Sequence, residues 1–75
     1  MDFPREVIVR AFIKVSELTD EQAESLTRTL RAVEGVVDAE VFAEDRVASV
    51  LYDIRIGLPE LVAAIQGAGY EAQPL

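Results

Sequence analysis

The residues 6–15, EVIVRAFIKV, limit what this chain can become more than any other stretch. β-Branched side chains dominate them, and apolar residues recur with period two. Val7, Val9, Ala11, Ile13 and Val15 share one face of an extended backbone, and Ile8, Arg10, Phe12 and Lys14 share the other. The spacing predicts a strand whose first face is wholly apolar. Such a face has to be buried against another layer, so the rest of the chain must supply both neighbouring strands and a cover.

Residues 19–33 supply part of that cover. Thr19 followed by Gln22 fits a capping box, in which each side chain accepts from the other residue's backbone N–H. Asp20 and Glu21 bring negative charge to the positive end of the helix dipole. Leu26, Leu30 and Val33 then form an apolar stripe at i, i+4 and i+7. Glu24, Arg28 and Arg31 mark the outward face, with Glu24 and Arg28 at a favourable helical spacing. Gly35 is expected to cap the helix end.

Residues 36–43, VVDAEVFA, alternate again, and 47–52, VASVLY, read as a third strand. The tight turn Glu44-Asp45-Arg46 makes the two a hairpin. Asp53 to Gly57 is a connector, and Pro59 with Glu60 suits a helix start. Leu58, Leu61, Val62, Ile65 and Ala68 form the second stripe. Gly69 stops that helix, and Tyr70-Glu71-Ala72-Gln73 is a short last strand before Pro74.

The order is βαββαβ within a single domain spanning residues 1–75. With right-handed crossovers, both helices fall on one face of a four-stranded antiparallel sheet. The fold class is α+β, a ferredoxin-like sandwich. Unrelated functions share that architecture, so the functional exclusions come from composition. The chain has no Cys, His or Trp, which removes thiol nucleophiles, disulfides, zinc-finger sites and histidine bases. Its 14 acidic residues against 7 Lys and Arg give a net charge of −7, which repels phosphate backbones and anionic membranes. No run approaches the ~20 apolar residues that cross a bilayer. The opening Met1-Asp2-Phe3-Pro4-Arg5-Glu6 has acids and a proline where a signal peptide has basic and apolar regions. The expectation is a soluble, cytoplasmic protein with neither a nucleic-acid nor a membrane partner.

Several local patterns occur in a telling order. Gly35-Val36 follows the first helix, Ala48, Val50, Tyr52 and Asp53 mark the third strand, and Ile65 precedes Gly69-Tyr70. Together they resemble the heavy-metal-associated, copper-chaperone-like domains of metal chaperones and of metal-transporting ATPases. The likeness covers nearly the whole chain and implies the same ferredoxin-like fold. It also implies a ligand loop after the first strand, where the family reads V-x-G-M-T-C-x-x-C and this chain has Val15-Ser16-Glu17-Leu18-Thr19-Asp20-Glu21-Gln22-Ala23. Aligned from the loop, the ligand cysteines correspond to Asp20 and Ala23, and Glu17 and Leu18 replace the motif's Gly and Met. Aligned from the helix stripe, they correspond to Thr19 and Gln22. Neither register offers a thiolate, which soft ions such as Cu(I) require. The family's metal transfer therefore does not carry over, and no cofactor is expected. The resemblance also puts Tyr70 beside the ligand loop, where packing on Leu18 with the hydroxyl toward solvent is the stronger reading.

The altered loop invites a second reading, a hard-cation site from Glu17, Asp20, Glu21 and Glu24. Calcium takes six to eight oxygens from a loop that wraps it, and Asp20 and Glu21 on a helix point apart. Helix-capping acids are the simpler explanation. Catalysis needs a nucleophile, a base or a metal in a pocket. Ser16, Ser25, Ser49 and the carboxylates are not paired for that work, so no enzyme is expected.

Val7, Val9, Ala11, Ile13, Ala39, Val41, Ala43, Ala48, Val50 and Tyr52 are expected to face the helices. The open face then receives Ile8, Phe12, Phe42, Val47 and Leu51, with Arg10, Lys14, Glu40 and Ser49 beside them. If contiguous, they form a patch of roughly a few hundred Å², the range that marks an interaction site, and a rim of both charge signs suits a self-complementary contact; the other readings are a register one residue off or Arg and Lys stems that cover the patch. Phe12 also sits where RNA-recognition modules of this topology stack a base. The third strand offers Leu51 instead of a second aromatic, and the charge opposes RNA. Two functions remain. One is a non-catalytic interaction or regulatory module that binds a protein partner or a second copy through the open face. The alternative is a metal-ion binding or transport protein that uses oxygen ligands near the first loop or a site shared with a partner.

Overall fold

A computed structural model describes residues 7–75. The chain runs β1 (Ile8–Val15), α1 (Asp20–Arg31), β2 (Val36–Phe42), β3 (Val47–Asp53), α2 (Leu58–Gly67) and β4 (Ala72–Pro74). The strands form one four-stranded sheet in the order β2-β3-β1-β4, with every neighbouring pair antiparallel. This is the expected ferredoxin-like arrangement.

The period-two pattern accounts for the core. Ile13 and Val15 of β1, Ala39 and Val41 of β2, and Ala48, Val50 and Tyr52 of β3 are buried in one cluster with Leu26, Leu30, Leu61 and Ile65 of the helices. Val9, Ala11 and Ala43 pack against its margin. Val7 does not join them: it is 50% exposed. The strand begins one residue later, and Val7 serves only through its carbonyl, which accepts from the Ile54 N–H at 2.8 Å. Glu6, expected in the same strand, lies outside the described residues.

The helix ends differ in one instructive way. α2 ends as expected: the N–H groups of Gly69 and Tyr70 bond the carbonyls of Gln66 and Ile65 at 3.0 and 3.3 Å, the crossed pair of a Schellman motif. α1, however, is capped at Ala32, three residues before Gly35. Gly35, with φ +95°, belongs to the next turn, closed by the Val36 N–H on the Val33 carbonyl at 3.0 Å. A Cβ there would also stand 2.9 Å from Ile56 Cγ2. Ala68, expected in the second apolar stripe, is the exposed cap of α2. The last strand starts two residues later than expected, because Tyr70 is held in the helix cap. It includes Pro74, which an edge strand tolerates.

The free edges of the sheet are closed in part: β2 by side chains, and β1 by β4 at Ile13–Val15. On β2, the Val41 N–H donates to Thr27 Oγ1 at 3.1 Å, the Ala39 N–H to Asp38 Oδ1 at 2.9 Å, and the Ala39 carbonyl accepts from Arg31 Nε at 3.1 Å. On the other side β4 is three residues long with a proline, and Gln66 Nε2 donates to the Ala72 carbonyl at 3.3 Å. Such devices stop a further strand from adding to a sheet.

Candidate functional site

The loop between β1 and α1 follows from local chemistry. Leu18 turns inward and joins the core. Thr19 is extended, at φ −77° and ψ 164°, and forms the N-cap. Its Oγ1 accepts from the Gln22 N–H at 3.1 Å, and Gln22 Oε1 accepts from the Thr19 N–H at 2.9 Å. The expected capping box is therefore complete. Asp20 and Glu21 stand exposed in the first turn, next to the positive end of the helix dipole.

Neither ligand register makes a site in this loop. In the first, Asp20 is an exposed carboxylate and Ala23 a methyl group only 6% exposed. In the second, Thr19 and Gln22 do face one another, but each spends its oxygen on the other's backbone. Their hydroxyl and amide oxygens are hard donors, unsuited to a soft ion. Glu17, Asp20, Glu21 and Glu24 are all exposed, and among the described residues no group of three or more Asp or Glu converges as a metal site. Tyr70 is half-buried against the same core as Leu18 and lines an open depression with Thr19, Glu21, Gln22 and Ser25.

The open face of the sheet is a second candidate. The register aligns Phe42, Val47 and Lys14 in one row, Glu40, Ser49 and Phe12 in the next, then Asp38, Leu51 and Arg10. Ile8 follows, opposite Asp53. Ile8, Phe12 and Phe42 are exposed, while Val47 and Leu51 are half-buried. Phe12 is diagonal to both Val47 and Leu51, and Leu51 is diagonal to Ile8, so the five fall on one zigzag across three strands. Leu75, just beyond β4, extends it: its N–H reaches the Phe12 carbonyl, and its side chain is exposed.

Ser49 departs from expectation. Alternation makes it a wet residue, yet it is 6% exposed. Arg10 Nη1 donates to its Oγ at 2.7 Å, so the guanidinium reaches over β3 and roofs the middle of the face. The charges on this face are sorted by strand: Arg10 and Lys14 lie on β1, Asp38 and Glu40 on β2. The Glu24 and Arg28 spacing gives no ion pair; among the described residues the ion pairs are Arg31 with Asp38 and Arg55 with Asp53.

The last of these pairs had no signal in the sequence. Asp53 ends β3 and is 6% exposed. It accepts from the Arg55 N–H at 2.9 Å and from Arg55 Nε at 3.0 Å on each oxygen. The Arg55 side-chain bonds, helped by the backbone bond, hold the carboxyl below its ordinary 3.8 against the opposing pull of burial. This brace sits at the end of the sheet away from the β1–α1 loop.

No family model matches the sequence, and no curated protein matches it. Solved structures do match by shape. The copper-binding domain of HMA7, a P-type ATPase, superimposes with a TM-score of 0.84 at 25% identity, over 88% of this chain and 92% of that one. Oxidized MerP from Ralstonia metallidurans CH34 gives 0.84 at 23% identity, over 91% and 97%. The CopZ metallochaperone gives 0.80 at 22% identity, over 87% and 100%. In fold and in the order of its local patterns the chain resembles the heavy-metal-associated, copper-chaperone-like domains, and it lacks their Cys-x-x-Cys motif.

Proposed function

We propose that this chain is a non-catalytic, cytoplasmic domain that keeps the copper-chaperone-like fold without a thiolate site and acts by protein contact, as an interaction or regulatory module. The observation that carries this reading is the capping box. Thr19 and Gln22 fix the start of α1 with their own hydrogen bonds. Among the described residues the acidic side chains nearby form no group of three or more that could hold an ion.

Calorimetric titration with Cu(I), Zn(II), Ca(II) and Mg(II) tests it. The expected result is no saturable binding by any of the four. The competing reading is a metal-ion binding or transport protein with oxygen ligands near the loop, supported by the copper-binding name of a structural neighbour. Binding at micromolar or tighter affinity that Asp20→Ala abolishes would establish that reading in place of ours.

A further inference from the structure

We propose that the open sheet face pairs two copies of this chain, sheet against sheet, about a two-fold axis parallel to β3. The proposal rests on reading the chain as a protein-contact domain and names its partner. Three features support it. The helices occupy one face, and among the described residues no layer covers the other, which bears Ile8, Phe12, Phe42, Val47 and Leu51. Its acids and bases are segregated on the two strands that flank β3. Among the described residues, Arg10, Lys14 and Glu40 have no ion-pair partner within the chain.

The charge pattern selects the symmetry. An axis along β3 lays β1 over β2 of the partner subunit and β3 over itself. Arg10 then shares a row with the partner's Asp38, one of whose oxygens is already held by Arg31; Leu51 meets the partner's Leu51; and Lys14, on the row of the partner's Phe42, lies one row from the partner's Glu40. Packed sheets sit at about −30°, which turns the rows without exchanging the strands. A two-fold axis across the strands instead sets Arg10 against the partner's Lys14 and Glu40 against the partner's Glu40. Like charges juxtaposed at an interface repel, so the first arrangement is preferred.

The size of the face sets the strength. Four strands at ordinary spacing and rise present about 15 by about 23 Å. Two such faces bury roughly 700 Å² in total, below the usual range for a stable interface, so the pair is weak and transient. The net charge of −7 opposes association at low ionic strength. Measurement belongs near 0.15 M salt, where the Debye length is ≈ 8 Å.

Sedimentation equilibrium of the full chain from about 5 μM to about 1 mM reads a weak pair. Phe12→Glu is expected to abolish association. Lys14→Glu and Glu40→Lys are each expected to weaken it by about tenfold, and the double exchange to restore it to within about threefold of the parent. All three sites are exposed, and circular dichroism confirms that each variant is folded. A strict monomer overturns the pairing, as does a dimer indifferent to Phe12→Glu or a double exchange weaker than both single ones. A monomer that also takes up no metal leaves the contact-domain reading standing with another partner. Tight metal binding at the loop overturns that reading whatever the oligomeric state.

Discussion

Two physical devices could hold the β1–α1 loop in place, and they predict different energetics. One is the capping box; the other is a resident ion. Thr19→Ala removes the acceptor for the Gln22 N–H but leaves the bond to Gln22 Oε1, and Gln22→Ala does the reverse. Loss of a threonine N-cap costs about 1 kcal/mol. Loss of the exposed reciprocal bond costs about 0.5 kcal/mol, at the low end for a neutral hydrogen bond. The two bonds use different atoms, so the double variant should lose about 1.5 kcal/mol. In a domain of this size that lowers Tm by about 6–12 °C.

A bound ion would behave otherwise. At a free concentration of one hundred times its Kd it would add ≈ 2.7 kcal/mol, which a chelator would remove. Urea unfolding with and without EDTA therefore separates the two devices. The expected result is a midpoint unmoved by EDTA in the parent and lowered stepwise by the cap variants. Hydrogen exchange should quicken at the Gln22 amide in Thr19→Ala, because that amide donates to the lost hydroxyl. A Thr19→Ala variant as stable as the parent, or a parent that EDTA destabilises, would refute the argument.

Two further outcomes concern stability. Gly35→Ala should cost more than Gly69→Ala: both have positive φ, +95° and +97°, but a new Cβ meets Ile56 only at Gly35. The shared strain is about 1–2 kcal/mol, and urea midpoints that fall equally for the two variants would show that the Ile56 contact yields freely. The second concerns acid. Asp53 is held below its ordinary 3.8, so the unfolded chain binds the proton more readily than the folded one. Its contribution is complete above pH about 5 and drains away as pH falls through 3.8 and below, so Asp53→Asn should flatten that limb of the stability profile. Identical pH slopes for parent and variant would sink this.

What was legible in the sequence divides by the range of the interaction. The start of α1 was readable because every atom of the capping box lies within four residues of Thr19. The two helix-ending glycines looked alike, and only Gly69 makes the local crossed bonds. The need for Gly35 comes from its own φ and from Ile56, on the far side of β2 and β3 in sequence. Alternation assigned Ser49 to the correct face but not its burial, which depends on Arg10, thirty-nine residues earlier. Val7 shows the same limit, since a period of two does not say where the strand stops. The Asp53–Arg55 brace lies in a connector, where no periodicity points to it.

The candidate site follows the same division. The absence of cysteine was certain at once, yet two alignments of the ligand positions fitted equally well, because a lost ligand leaves no spacing behind. The geometry removes the ambiguity that matters: one register ends on a buried methyl, and the other is consumed by the cap. A helix start that supplies its own hydrogen bonds does not need an ion to order it. On the proposed reading the fold persists without an ion in this loop, and the remaining chemical asymmetry lies on the open sheet face. There the apolar residues were foreseeable one strand at a time, but the sorting of bases onto β1 and acids onto β2 emerges only with the pairing register. That sorting distinguishes a surface merely short of cover from one that matches its own rotated copy, and it makes the charge exchange at Lys14 and Glu40 a sharper test than any apolar truncation.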